Sequence, residues 1–575
     1  MIRTLLSYLG KYKKYAILAM ICVTAEVAFE LIIPFIMADI VDVGVTTGDR
    51  GYIFSQGILM LICAAIALIL GIGSAKFGAI AGQGLGAELR KAEYRKIQSF
   101  SFSNTDKFRA SSLITRLTSD ITTIQNSFST GLRPACRSPI MMLLALILSF
   151  SINGKLAIVF FVAAPVLGIL LFLIIRKVRP LYSRMQVAID LVNRVIQENL
   201  TAVRVVKAYV RGEYEVEKFK EVNENWKTVS ERAFGFASMN MAAMQFVMYT
   251  TILAILWFGG KLILSNGMKV GELTGFLSYV LQVLNSLMMM SNVFLMMTRS
   301  LTSGKRIMEV MEEEVTLNDD GAKDISVESG EIVFDHVSFK YKEDAKEEVL
   351  SDVSFTIKAG QTVGIIGPTG SAKSTLVQLI PRLYDATKGQ IYIDGRPIQQ
   401  YSLHHLRDAI AMVLQKNTLF SGTVRENLCW GKEDATQKEI EEACRIACVD
   451  EFIDRLKDGY DTELGQGGVN VSGGQKQRLC IARALLKNPK VFIFDDSTSA
   501  VDTATEAKIR EQLAQSFPNT TKILIAQRIT SIMHADQIII LDEGKIHAIG
   551  THETLLQTNE IYQDIYHSQQ EGAGL

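Results

Sequence analysis

Gly367-Pro368-Thr369-Gly370-Ser371-Ala372-Lys373-Ser374-Thr375 is the stretch on which the reading of this chain turns. A strand-like run, Thr362 to Ile366, precedes it, and a helical run, Leu376-Val377-Gln378-Leu379-Ile380, follows. Strand, glycine-rich loop and helix in that order make a phosphate cradle. Backbone N–H groups and the helix N-terminus surround the phosphates, Lys373 reaches the β- and γ-phosphates, and Ser374 offers a hydroxyl to Mg²⁺. Ala372 occupies a place where the motif has glycine, and its methyl group narrows the loop and restricts the backbone. Lys373 and Ser374 are kept, so nucleotide binding is expected to survive.

Around this loop, residues 331–575 alternate strand-like and helical runs, which predicts an α/β domain. Within it Val491-Phe492-Ile493-Phe494 reads as a buried strand ending in Asp495-Asp496, and Asp495 can hold the Mg²⁺ shell. A hydrophobic strand ending in acid is common. Its weight here comes from the segment just before it, Val471-Ser472-Gly473-Gly474-Gln475.

Upstream the composition changes. Of the 575 residues 48% are hydrophobic, and the mean hydropathy of +0.20 is high for a wholly soluble protein. The excess lies almost entirely before Arg299, in six apolar segments at roughly 15–40, 54–80, 132–152, 156–176, 236–264 and 272–298. Basic residues collect before the first segment (Arg3, Lys11, Lys13, Lys14) and in the long connections at about 84–131 and 177–235. Positive-inside reasoning places both termini, both long connections and the α/β domain in the cytoplasm. The connections keep helical periodicity, for example Leu191, Val195, Leu200 and Val206 amid charges, so they read as spans continuing beyond the membrane. Domain limits follow: 1–318 for six spans with two long connections, 319–330 for a linker, and 331–575 for the ATP-binding domain. The 60 basic and 60 acidic residues balance, so no global field points to nucleic acid. Seven scattered cysteines read as free thiols in a reducing compartment, and the N-terminus shows no cleavable signal pattern.

Polar residues inside the spans mark a candidate substrate cavity. Glu26 and Glu30 are four apart on one helix face; they attract cationic substrates or stand protonated and hydrogen-bonded. Gln282, Asn285 and Asn292 lie among Met288, Met289, Met290, Met296 and Met297, a wall that suits varied apolar ligands or ordinary helix packing.

Val471 to Gln475, followed by Lys476-Gln477-Arg478, resembles the ABC signature sequence. With the phosphate loop and six spans in membrane-first order, the whole chain resembles a bacterial ABC half-exporter. The resemblance implies an all-α six-helix transmembrane domain followed by an α/β P-loop ATPase domain, with ATP and Mg²⁺ as cofactors. It further implies roles by position. Tyr341 stacks on adenine. Gln415 contacts Mg²⁺ and faces the transmembrane helices. Ser472, Gly473, Gly474 and Gln475 act on the partner's nucleotide, and Ser499-Ala500-Val501-Asp502 links the two nucleotide sites. Thr462 to Gly467 resembles the exporter segment that touches the intracellular connections, with Gln466 where glutamate is frequent.

Two departures fall on chemistry. Asp496 stands where the family has a glutamate that serves as general base, and its carboxylate is one methylene shorter. Gln527 replaces the switch histidine; an amide can hydrogen-bond a phosphate but carries no positive charge. With Ala372 these make a degenerate site that binds ATP and hydrolyses it poorly, while the signature completes a competent site on a partner carrying the glutamate and histidine. The expected molecule is a heterodimer in the bacterial plasma membrane, exporting small hydrophobic compounds, most simply drugs; lipids and peptides suit the same cavity. A regulated channel or receptor on this fold would carry a regulatory insertion between the halves. A processing exporter would need an N-terminal protease before the first span. A soluble nucleic-acid ATPase conflicts with the apolar segments.

Overall fold

The structure is a computed structural model and describes residues 1–319, 321–342, 345–496 and 501–572. It divides into two compact units: residues 1–98 with 111–312, and residues 99–110 with 313–575.

The first unit is helical. Its long helices are Lys13–Asp39, Arg50–Gln98, Ile121–Ile152, Gly154–Thr201, Gly212–Leu264 and Val270–Met311. Five segments of the described residues are long and apolar enough to cross a membrane, and the predicted fourth span, 156–176, lies within the Gly154–Thr201 helix. At ~1.5 Å per residue the Arg50–Gln98 helix is roughly 70 Å long, against an apolar bilayer core of about 30 Å, so it continues well past its predicted span. The helices change direction at defined caps. Asn153 is extended, and its side chain accepts from the N–H groups of Lys155 and Leu156, which starts the fourth long helix. Asp42 does the same across the bundle: its carboxylate takes the N–H groups of Gly271 (2.6 Å) and Glu272 (3.0 Å) at the start of the last one. Gly271 permits that approach, because a Cβ there would lie 2.2 Å from the Ala38 carbonyl oxygen. Removing the cap by Asp42→Ala is expected to cost about 1 kcal/mol, read as a lowered Tm of the detergent-solubilised chain, with Asp42→Asn losing less. The bundle core holds Val27, Leu31, Phe276, Tyr279 and Val280 among others, and the buried Tyr279 hydroxyl donates to the Leu31 carbonyl at 2.7 Å.

Among its described residues the second unit carries twelve strands: β1 (Ile332–Phe339), β2 (Leu350–Ile357), β3 (Thr362–Ile366), β4 (Lys388–Ile393), β5 (Arg396–Pro397), β6 (Ile410–Val413), β7 (Gly422–Thr423), β8 (Glu463–Leu464), β9 (Val491–Asp495), β10 (Thr521–Ile525), β11 (Gln537–Asp542) and β12 (Lys545–Gly550). The main sheet runs β12-β11-β3-β10-β9-β6, parallel except for the β11–β12 pair. An antiparallel sheet runs β2-β1-β4-β5, and β7 pairs with β8. The central strands are near-continuous apolar runs, as strands covered on both faces must be; Val491, Phe492 and Ile493 are fully buried.

Residues 99–110, which join the second and third long helices, belong with this unit. Ser101 caps the short helix Phe102–Lys107. Asn104 donates to the Glu314 carbonyl (2.8 Å), Lys107 pairs with Glu313 (2.6 Å), and Tyr384 donates to Asp106 (2.7 Å).

Candidate functional site

Strand order builds the site. β3, β10, β9 and β6 are neighbours in one parallel register, so their carboxyl ends line one edge of the sheet. Gly367 follows β3, Gln527 lies just past β10, Asp495 closes β9 with Asp496 next in the chain, and Gln415 lies just past β6. Residues far apart in sequence are thereby gathered where open α/β sheets bind ligands.

The phosphate loop curls over its own lysine. Lys373 donates to the carbonyls of Gly367 (2.9 Å) and Pro368 (2.8 Å) and lies 3.3 Å from Ser371 Oγ. Burial pushes its ammonium pKa down, partly offset by Asp496 and Asp495. Gly370 has φ +87°, a conformation that side chains rarely adopt, and Ala372 shares the left-handed region at φ 71°. For alanine that conformation costs about 1 kcal/mol, whereas glycine is free of the penalty. Ala372→Gly is accordingly expected to relieve about 1 kcal/mol of strain in the folded domain, measured as a raised Tm of the detergent-solubilised chain.

Ser374 Oγ donates to Asp495 Oδ1 at 2.7 Å, and Asp495 is almost fully buried. Its carboxyl pKa is raised by burial, with the serine hydrogen bond pulling the other way. The Ser374 hydroxyl and the Asp495 carboxylate are hard oxygen donors of the kind Mg²⁺ selects, and Gln415 lies 3.4 Å from the adjoining Asp496, so these residues fit a nucleotide-borne Mg²⁺. Among the described residues no cluster of His, Cys, Asp and Glu could hold a metal by itself.

Asp496 sits at φ 47°, and two glutamine amides converge on its carboxylate. Gln527 Nε2 donates to Asp496 Oδ2 at 2.6 Å, and Gln415 Nε2 approaches the same oxygen at 3.4 Å. Residues that sequence reasoning missed hold this arrangement. Gln569, in the helix Glu560–Gly572, donates to the Gln527 carbonyl (2.7 Å) and accepts from Ile529 N–H (2.9 Å). Nothing local in sequence announces that role.

Tyr341 is partly exposed, as a stacking platform must be, and its hydroxyl is 2.9 Å from Thr375 Oγ1. Its ring meets Phe339 and Tyr384 edge-on at 4.9 and 5.3 Å between centroids. The signature segment starts the helix Gly473–Leu486: Ser472 Oγ accepts from Gln475 N–H, Gln475 Oε1 accepts from Ser472 N–H, and Ser472 and Gly473 stay exposed. Asp502 caps the helix Thr503–Ser516 through Thr505 N–H. Ser499 and Ala500 lie outside the described residues. Cys63, Cys444, Cys448 and Cys480 are buried free thiols, Cys444 pushed up to about 12 by burial, which leaves that thiol unreactive.

In the first unit Glu30, Gln282, Asn285 and Asn292 line one cavity of about 390 Å³, while Glu26 lies buried behind it. Both carboxylates are engaged. Arg137 donates to Glu26 (2.8 Å) and Glu30 (2.5 Å), and Arg133 donates to Glu26 (2.6 Å). Neither arginine was singled out in sequence, where both fall at the edge of the predicted third span.

Comparison with known proteins identifies the family. Residues 16–287 match the ABC transporter transmembrane region, and residues 350–499 match the ABC transporter family. The uncharacterized ABC transporter ATP-binding protein YfiB of Bacillus subtilis (strain 168) is 40% identical over 98% of both chains. An ATP-dependent lipid A-core flippase of Desulfotalea psychrophila is 32% identical over 90% of this chain and 91% of its own. A bacterial Atm1-family ABC exporter with ATP bound has the same fold, with a TM-score of 0.82 over 98% of each chain at 24% identity. The chain thus belongs to the ABC transporter family as a half-exporter, its helical transmembrane region joined to a domain that binds and hydrolyses ATP.

Proposed function

We propose that this chain is the degenerate-site subunit of a heterodimeric ABC exporter of amphipathic compounds, embedded in the bacterial plasma membrane with its ATP-binding domain in the cytoplasm. One observation carries the reading: the Gln527 amide donates to Asp496 Oδ2 at 2.6 Å. A general base must present a free lone pair within reach of the attacking water. Here the acid is one methylene short, and the residue that should contact the γ-phosphate engages the acid instead. The pocket is built to hold a nucleotide more than to cleave it.

The chain's own residues divide the work. Loop N–H groups and Lys373 hold the phosphates, Tyr341 takes the adenine, and Ser374, Asp495 and Gln415 would hold Mg²⁺. Bound there, Mg²⁺ neutralises charge on the β- and γ-phosphates. Ser472, Gly473, Gly474 and Gln475 present helix N-terminal donors to the nucleotide of the other subunit. ATP favours the closed pair of domains through its greater affinity for that state, and hydrolysis opposite this signature resets it. A partner is also favoured by the turn between the fourth and fifth long helices, where Val205, Tyr209, Val210 and Tyr214 are more than half exposed. Such an apolar tip fits a second subunit better than water.

Hydrolysis by the purified chain alone, compared with the chain joined to a half-transporter carrying the glutamate and histidine, is the test. Weak turnover alone and unhydrolysed ATP held at Lys373 in the working complex are expected. Robust turnover by two identical copies refutes the proposal. A second reading, lipid translocation, draws on the relative named as a lipid A-core flippase.

A further inference from the structure

We infer that the membrane-domain cavity selects amphiphiles with a zwitterionic head, an ammonium and an acidic group a few ångströms apart, over simple cations or anions; this rests on the reading of the chain as an exporter. Arg137 and Glu30, 2.5 Å apart, share one wall of the 390 Å³ cavity. Its volume is within the usual range for small-molecule sites of about 300–1,000 Å³. Gln282, Asn285 and Asn292 add carboxamides, and Met288 and Met289 add adaptable apolar surface.

Charge pairing decides the class of ligand. Glu26, Glu30, Arg133 and Arg137 sum to zero, so the site exerts no net pull on either sign. Glu26 Oε1 already accepts from both arginines. A lone cation would draw Glu30 off Arg137 and leave two guanidinium groups sharing the one remaining carboxylate. A lone anion would draw Arg137 away and leave Glu30 unpaired. Either outcome is costly where water is scarce. A zwitterion placing its ammonium on Glu30 and its acidic group on Arg137 keeps all charges paired. The site also keeps unspent hydrogen-bonding capacity: Gln282 Oε1 is buried without a hydrogen-bond partner on the cavity wall, as are Glu26 Oε2 and Arg133 Nε behind it. Gly71 is part of the construction, since a Cβ there would crowd Arg133 and Glu26 at 3.3 Å.

The test uses the full chain in dodecyl maltoside and three probes sharing one decyl chain: decyl phosphoethanolamine, decylammonium and decyl phosphate, each below its micelle concentration. Calorimetric titration is expected to show the phosphoethanolamine binding about tenfold tighter than either the purely cationic or the purely anionic probe. Glu30→Gln should shift preference toward the phosphate, and Arg137→Gln toward the ammonium. Equal binding of all three, tightest binding of decylammonium, or an unmoved preference in Glu30→Gln overturns the inference. Glu30→Gln suffices should Arg137→Gln fail to fold, which its Tm reports. Binding is read without ATP or partner, so hydrolysis by a homodimer would sink the heterodimer and leave this result standing.

Discussion

Ser472→Ala in the assembled transporter is expected to lower ATP turnover by about 10²-fold or more, the usual loss when one preorganised donor facing developing phosphate charge is removed. Lys373→Ala in the same complex is expected to cost less than about tenfold, since on the proposed reading this chain's own site lacks a general base and contributes little turnover to lose. In a symmetric ABC dimer both lesions are severe, so their ratio is diagnostic. Steady-state phosphate release from the complex, with each variant confined to this chain, checks it. Ser472 also caps its own helix, so some of its loss is structural at about 1 kcal/mol; Ser472→Asn keeps a capping side chain while replacing the hydroxyl and separates the two effects. Equal losses from both lesions would mean that this chain's own cleft fires as often as its partner's.

Restoring the two chemical positions should have the opposite effect. Asp496→Glu together with Gln527→His is expected to raise turnover of the chain alone by about 10²–10⁴-fold, the span assigned to general-base action. The geometry explains why both changes are needed. Gln527 donates to Asp496 at 2.6 Å, so lengthening the acid alone leaves an amide occupying the carboxylate. Replacing the amide alone leaves the carboxylate a methylene short. The pair should therefore be more than additive, as residues acting on one centre are. Single variants that each recover full turnover would show that the two positions act independently.

Much of the architecture was legible because its signals are local. A phosphate loop is a run of consecutive residues whose backbone does the binding, so Gly367 to Thr375 and its flanks suffice to place it. Spans are legible because a bilayer demands about 20 apolar residues in a row; the helix Lys13–Asp39 covers the first predicted segment except Ile40, and Arg50–Gln98 contains the second. Asp496 and Gln527 were legible as site candidates because each sits at a short offset from the end of a strand.

Other features had no local signal. Arg133 and Arg137 stand at the start of an apolar segment, where basic residues usually flag a membrane boundary. That they reach back to Glu26 and Glu30 depends on how two helices pack. Gln569 steadies Gln527 across 42 positions of chain. Residues 99–110 read as part of the membrane half by position, yet they compact with the ATP-binding unit through Asn104, Lys107 and Asp106.

Sequence by itself determined which groups are present: a nucleotide cradle, an aspartate and a glutamine just past the ends of two core strands, and spans long enough for a bilayer. Side-chain identity and consecutive order carry that information. Only the tertiary structure decided which groups spend their bonds on one another, the amide on the shortened acid and the membrane carboxylates on two arginines. Such pairings join residues up to 111 positions apart, and short-range patterns carry no trace of contacts that strand order and helix packing alone create.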